Sequence, residues 1–115
     1  MNMEERISSS IKSVGGEVGE WVQVSERPGR EPFGREVEFR VGNLMWGKVH
    51  VRKEGDIYLL VISNKVFNWK DRVKDLKLKG EIVDAVGGML WLKEGQELEE
   101  DLKWIKGYLE SLSPK

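Results

Sequence analysis

Four charged or titratable side chains near the middle of this 115-residue chain are the ones best able to do chemistry. They are Glu38, Arg40, Lys48 and His50. His50, the single histidine of the sequence, can act as a general acid or base if a carboxylate such as Glu38 orients its imidazole. Arg40 offers a planar, permanent cation that suits a carboxylate or a phosphate. The group therefore predicts an anion-binding site or, alternatively, a histidine-based catalytic site.

The local pattern around these residues predicts the strands that position them. Over residues 36–41 and 45–52, every second side chain is apolar, which is the period of a strand with one buried face. Gly42-Asn43 between the two segments predicts a tight hairpin turn. Residues 57–62 are wholly apolar, which predicts a third strand covered on both faces. The three strands form an antiparallel meander, and the four candidate residues emerge together on its polar face.

Amphipathic helices flank the predicted sheet at both ends of the chain. Apolar residues recur at helical spacing over residues 3–14 and, most clearly, over residues 97–112. The sequence between them predicts a short strand around residues 18–24, a loop over residues 25–35, a short helix beginning at Asn68 and a second hairpin at Gly87-Gly88.

The order of these elements predicts one α+β domain over residues 1–115. The two terminal helices need an apolar sheet face to bury against, so we expect a two-layer sandwich with both helices on one face. The sheet should be mainly antiparallel, with about five or six strands and the meander at its centre. The pattern does not determine the strand order beyond the two hairpins.

Composition limits the function classes. The chain has 19 basic and 20 acidic residues and a pI near 5.9, which weakens the case for nucleic acid as a partner. With no cysteine and one histidine, we expect no metal and no cofactor. No stretch has the length of a membrane span or a signal peptide, which predicts a cytoplasmic protein without a membrane partner. The many Lys and Glu residues are typical of thermophile proteins.

Two short motifs resemble a known family. FGREVEFRVG at residues 33–42, followed by GKVH at residues 47–50, resembles the luciferase-like domain family of small uncharacterised proteins. The likeness covers about residues 18–112, and a broader one extends to MmcQ/YjbR-type domains. The family has a paired-histidine element where this chain has Lys48 and His50. The resemblance therefore implies the fold. Because Lys48 replaces the first histidine of the pair, it also implies that this chain lacks any chemistry that depends on clustered histidines.

The residues leave three function classes open. A non-catalytic module that binds a small polar or anionic ligand or a protein partner, with homodimer formation included, is favoured because no complete catalytic constellation is present. In it, Arg40 would contact an anion beside Glu38, Lys48 and His50, and Trp46 and Trp104 would contact a partner because their spacing takes them off the apolar stripes. The alternatives are an enzyme that uses His50, Glu38 and Arg40, and a nucleic-acid accessory protein that uses the basic strand face.

Overall fold

The computed structural model describes residues 2–24 and 34–112, and the elements below belong to these ranges. They are α1 (Met3–Ser13), β1 (Glu17–Val18), β2 (Val22–Val24), β3 (Gly34–Val41), β4 (Met45–Arg52), β5 (Ile57–Ile62), two short 3₁₀ turns (Trp69–Asp71 and Val73–Asp75), β6 (Glu81–Val86), β7 (Met89–Glu94) and α2 (Leu98–Leu112). Most of the predicted loop over residues 25–35 lies outside the described residues.

The seven described strands form one antiparallel sheet in the order β1–β3–β4–β5–β7–β6, and β2 also pairs with β3. The central meander and both hairpins are confirmed, with Gly42 at φ 50° and Gly87 at φ 56° in the turns. The strand predicted around residues 18–24 is two short strands that share the outer edge of β3, which brings the total to seven.

Both helices pack on the same face of this sheet, as predicted for a two-layer α+β sandwich. Every second residue of β3, β4, β5 and β7 points into a single apolar cluster with the buried stripes of the helices. The strands contribute Val37, Phe39, Val41, Met45, Val49, Leu59, Val61, Leu90 and Leu92, and the helices contribute Ile7, Ile11, Leu98, Leu102, Ile105 and Leu109. The opposite face of the sheet receives neither helix.

The prediction that β5 is covered on both faces is wrong. Leu59 and Val61 are fully buried, whereas Tyr58, Leu60 and Ile62 on the opposite face are half-buried. The physical reason is that both helices use the same side of the sheet. An apolar strand therefore presents part of its surface to solvent.

The predicted short helix after Asn68 is also corrected, to the two 3₁₀ turns. Asn68 does cap the first turn, because its Oδ1 accepts a hydrogen bond from the backbone N–H of Lys70 at 3.2 Å. The buried Trp69 donates its backbone N–H to Gly87 O and its indole N–H to Gly88 O, both at 2.8 Å. These bonds tie the segment to the β6–β7 hairpin, and a tether of this kind holds single turns without needing a helix.

Gly107 offers a test of the terminal helix. It lies on the exposed side of α2, and a methyl group at its Cα would meet no other atom within 4 Å. Since glycine costs a helix interior roughly 0.5–1 kcal/mol relative to alanine, Gly107→Ala should stabilise the protein by about that amount. Urea unfolding measures the change, and a loss of stability would contradict the helical environment given to this residue.

Candidate functional site

The sheet face opposite the helices carries the polar side chains that the sequence singled out. Across β3 and β4, the register pairs Glu36 with His50, Glu38 with Lys48 and Arg40 with Trp46. All six therefore lie on the open face. Because three residues, 42–44, form the turn, Val41 pairs with Met45 and this register follows.

The rows continue across the sheet onto apolar residues of β5 and β7. His50 pairs with Tyr58, Lys48 pairs with Leu60, and Leu60 in turn pairs with Trp91. A charged half of the face, on β3 and β4, thus meets an apolar and aromatic half on β5 and β7. A small molecule bound at this border could contact charged side chains and apolar side chains at the same time.

A concavity of about 440 Å³ lies on this border. Among the described residues, nine from six strands line it: Val24, Glu36, Lys48, His50, Arg52, Tyr58, Leu60, Val83 and Trp91. Tyr58 and Trp91 form an aromatic corner, with ring centroids 6.1 Å apart and ring planes inclined at 59°. This volume is in the range of small-molecule sites, which are mostly apolar with a few placed polar groups.

Glu36, Lys48 and His50 form the polar wall of the concavity, with Glu36 at its centre. Its carboxylate accepts from Lys48 Nζ at 2.9 Å, and its second oxygen lies 3.9 Å from His50 Nδ1. The hydrogen bond and charge of Glu36 raise the pKa of Lys48, so that the ammonium stays charged. Burial lowers the pKa of His50 below its ordinary value, and the attraction of Glu36 offsets this only in part, so the imidazole is neutral at pH 7.

Two parts of the predicted site change in the structure. The carboxylate beside His50 is Glu36 and not Glu38, because the strand register places Glu38 opposite Lys48. Arg40 and His50 share the open face as predicted, but they do not line one depression. Arg40 lines a neighbouring depression with Glu38 and Trp46, while His50 lines the concavity. Lys48 borders both.

The pKa of His50 tests this geometry. Since the Glu36 carboxylate stabilises the imidazolium, Glu36→Gln should lower the pKa of His50 further. Glu38→Gln is the matched control and should leave that pKa nearly unchanged. An NMR titration measures both, and the single histidine makes the signal unambiguous. A larger effect from Glu38→Gln than from Glu36→Gln would contradict the register.

Trp46 and Trp104, the two tryptophans predicted to contact a partner, lie in different layers of the fold. Trp46 lies on the open face with 36% of its surface exposed. Trp104 is half-buried on α2 and stacks on Tyr108, with the ring centroids 5.8 Å apart, and it lines neither depression. Sequence reasoning missed Trp91, which is 43% exposed and lines the concavity. The alternation of residues 89–94, with leucines at positions 90 and 92 on the core face, was the signal for it.

Comparison with models of protein families, with curated proteins and with solved structures found no match to this chain. The resemblance to the luciferase-like domain family accordingly stays a prediction. In residues 2–24 and 34–112, no group of three or more His, Asp or Glu side chains is arranged to hold a metal ion. None of the helices formed by those residues combines the length and the apolar character needed to cross a membrane.

Proposed function

We propose that this protein is a small-ligand binding module and that its ligand occupies the concavity on the open sheet face. The observation that carries the proposal is the aromatic corner of Tyr58 and Trp91 facing the polar wall of Glu36, Lys48 and His50. An apolar floor with a few polar groups at its edge is the common form of a small-molecule site.

The exposure of Trp91, which forms the floor of the concavity together with Tyr58 and Leu60, supports the same proposal. A tryptophan that is 43% exposed leaves a large apolar area in water, and a ligand that covers it gains the free energy of burying that area. Leu90 and Leu92, which flank Trp91 in β7, are buried in the core on the other face of the sheet and anchor the strand that carries the indole ring. Rigid supports reduce the entropy lost when a ligand binds.

The geometry supports binding better than catalysis. The enzyme alternative needs His50, Glu38 and Arg40 to act on one bound substrate, and these residues line separate depressions. Glu36 lies 3.9 Å from the imidazole, but among the residues that the structure describes neither a serine nor a threonine lines the concavity as a nucleophile. The nucleic-acid alternative needs a continuous basic face, and Glu36, Glu38 and Asp84 interrupt it.

Contact with another protein, a second copy of this chain included, is the alternative within the class of binding modules. Exposed apolar side chains favour it: Val86 and Met89 are exposed in the β6–β7 hairpin, and Phe67, two residues before the Trp69 that is hydrogen-bonded to the turn of this hairpin, is 97% exposed. Sedimentation at the concentrations used for ligand binding separates the two. A dimer that Val86→Ser dissociates would favour this alternative.

A ligand screen with two matched variants tests the proposal. Ligand-observed NMR against a chemically diverse library of small molecules should give hits with the wild-type protein. Trp91→Leu should abolish most of them, since it removes half of the aromatic corner. Trp46→Leu removes the other exposed tryptophan of the same face, outside the concavity, and should retain them. Hits that survive Trp91→Leu and vanish with Trp46→Leu would move the site to the neighbouring depression and refute the assignment.

A further inference from the structure

We propose that the ligand of the concavity is a planar, uncharged heteroaromatic ring with hydrogen-bond donors and acceptors along one edge, as in a purine nucleoside. The inference rests on the proposed function and adds the chemical class of the ligand. Three features of the lining carry it: the aromatic corner of Tyr58 and Trp91, the polar wall with both a donor and an acceptor, and the balance of charge.

The floor favours a flat ring. Trp91 and Tyr58 meet at 59°, so a planar molecule that stacks on the indole of Trp91 brings its edge toward the Tyr58 ring, a stacked contact followed by an edge contact. Leu60 lies between Lys48 and Trp91 in the register and continues the floor toward the polar wall. Every nucleobase has a π-face suited to such a platform.

The polar wall of the same concavity offers both kinds of hydrogen-bonding group. The carboxylate of Glu36 accepts, and the ammonium of Lys48 donates. These two groups lie within 2.9 Å of each other, and both line the concavity. A ring edge that carries a donor next to an acceptor matches this pair, whereas a hydrocarbon of the same shape would leave both groups desolvated without new partners.

The charge balance disfavours a polyanion. Lys48 is paired with Glu36, and Arg52 lies 3.5 Å from Glu54 in a second ion pair at the rim. On the other side of Trp91, the strand register places Asp84 of β6 opposite Trp91 and Glu81 of β6 opposite Lys93 of β7. Lys48 and Arg52, the lysine and arginine among the described residues that line the concavity, therefore each have a carboxylate close by, and a triphosphate bound there would meet repulsion as well as attraction.

Calorimetric titration with three probes tests the class. Adenosine has the ring and the polar edge, ATP adds a polyanion to the same ring, and naphthylmethanol keeps a flat ring without the edge. We expect adenosine to bind at least about tenfold more tightly than either of the other two. Trp91→Leu and Lys48→Met should both weaken adenosine, and only Trp91→Leu should weaken naphthylmethanol. Trp46→Leu serves as the matched control and should leave all three affinities unchanged.

The outcomes distinguish the two proposals. Equal or tighter binding of ATP, or of naphthylmethanol, in the concavity would overturn the ligand class and leave the binding site standing. Absence of adenosine binding also overturns the ligand class, even if other library members bind there. If neither the probes nor the diverse library bind at Trp91, the inference and the proposed function fail together.

Discussion

Replacing Leu102 with alanine should cost this protein on the order of 2–4 kcal/mol of unfolding free energy, the usual cost of truncating a fully buried leucine. Leu102 lies in the centre of the α2 stripe and has no exposed surface. Its side chain joins the helix to the sheet face that supports the candidate site from behind. Ile105→Ala, one turn further along the same stripe, should have a similar effect.

Leu112→Ala provides the matched control for this measurement. Leu112 occupies the same stripe at the end of the helix but is 36% exposed, so its truncation should cost far less. Urea unfolding of the three variants gives the comparison. A loss below about half a kcal/mol for Leu102→Ala would mean that α2 does not pack in the core, since surface substitutions usually fall in that range.

Replacing Glu94 with glutamine should change how stability depends on pH. Glu94 ends β7 as a buried carboxyl beside Asp101 of α2. Asp101 is itself buried and accepts hydrogen bonds from the backbone N–H groups of Lys79 and Gly80, both at 2.8 Å. Burial, the neighbouring Asp101 and the charge of Glu97 together raise the pKa of Glu94 to about 9.

The sign follows from where the proton is held. Below the ordinary carboxyl pKa, Glu94 is protonated in both the folded and the unfolded chain, and the folded state is not penalised. Between that value and pH 9, only the unfolded chain releases the proton, so the contribution of Glu94 to stability falls by at most about 1.4 kcal/mol per pH unit as the pH rises. The glutamine amide keeps the shape and a donor without the titration.

We therefore expect Glu94→Gln to be more stable than the wild-type protein at pH 8, with a difference that shrinks toward pH 5. Glu100→Gln, on the exposed side of α2, is the control and should leave the pH dependence unchanged. Chemical unfolding across this pH range measures the difference. Parallel stability curves for wild type and Glu94→Gln would show that Glu94 is ionised at neutral pH and that the buried carboxyl pair is wrongly described.

Much of the fold was predictable because it depends on local periodicity. Alternation identified the buried face of β3 and β4, and the positions of Arg40, Lys48 and His50 on the opposite face followed from it. The stripe of α2 was equally clear. In both cases the core selects side chains at fixed spacing along one element, so the signal lies within a single stretch of sequence.

The features that define the site depend on contacts between distant segments. Glu36 is the partner of His50 because the turn takes three residues, and a different turn length would select another carboxylate. Trp91 reaches the concavity because β7 pairs with β5. The two 3₁₀ turns and β6 lie between these strands in the chain, and the sequence pattern does not predict which strand lies next to β5. The apolar sequence of β5 predicted that both faces of the strand are buried, whereas the side chains on one face, Tyr58 and Leu60, line the candidate site.

The most direct test of the open face as a binding site uses the five tryptophans as reporters. In a ¹⁵N-labelled sample, each indole N–H gives its own NMR signal: Trp91 lies in the concavity, Trp46 in the neighbouring depression, and Trp21, Trp69 and Trp104 elsewhere. On addition of a ligand from the screen, we predict that the Trp91 signal shifts in a saturable way while that of Trp69, bonded to Gly88 O in the core, stays fixed. Saturable shifts at Trp104 or Trp21 with no change at Trp91 would contradict the account.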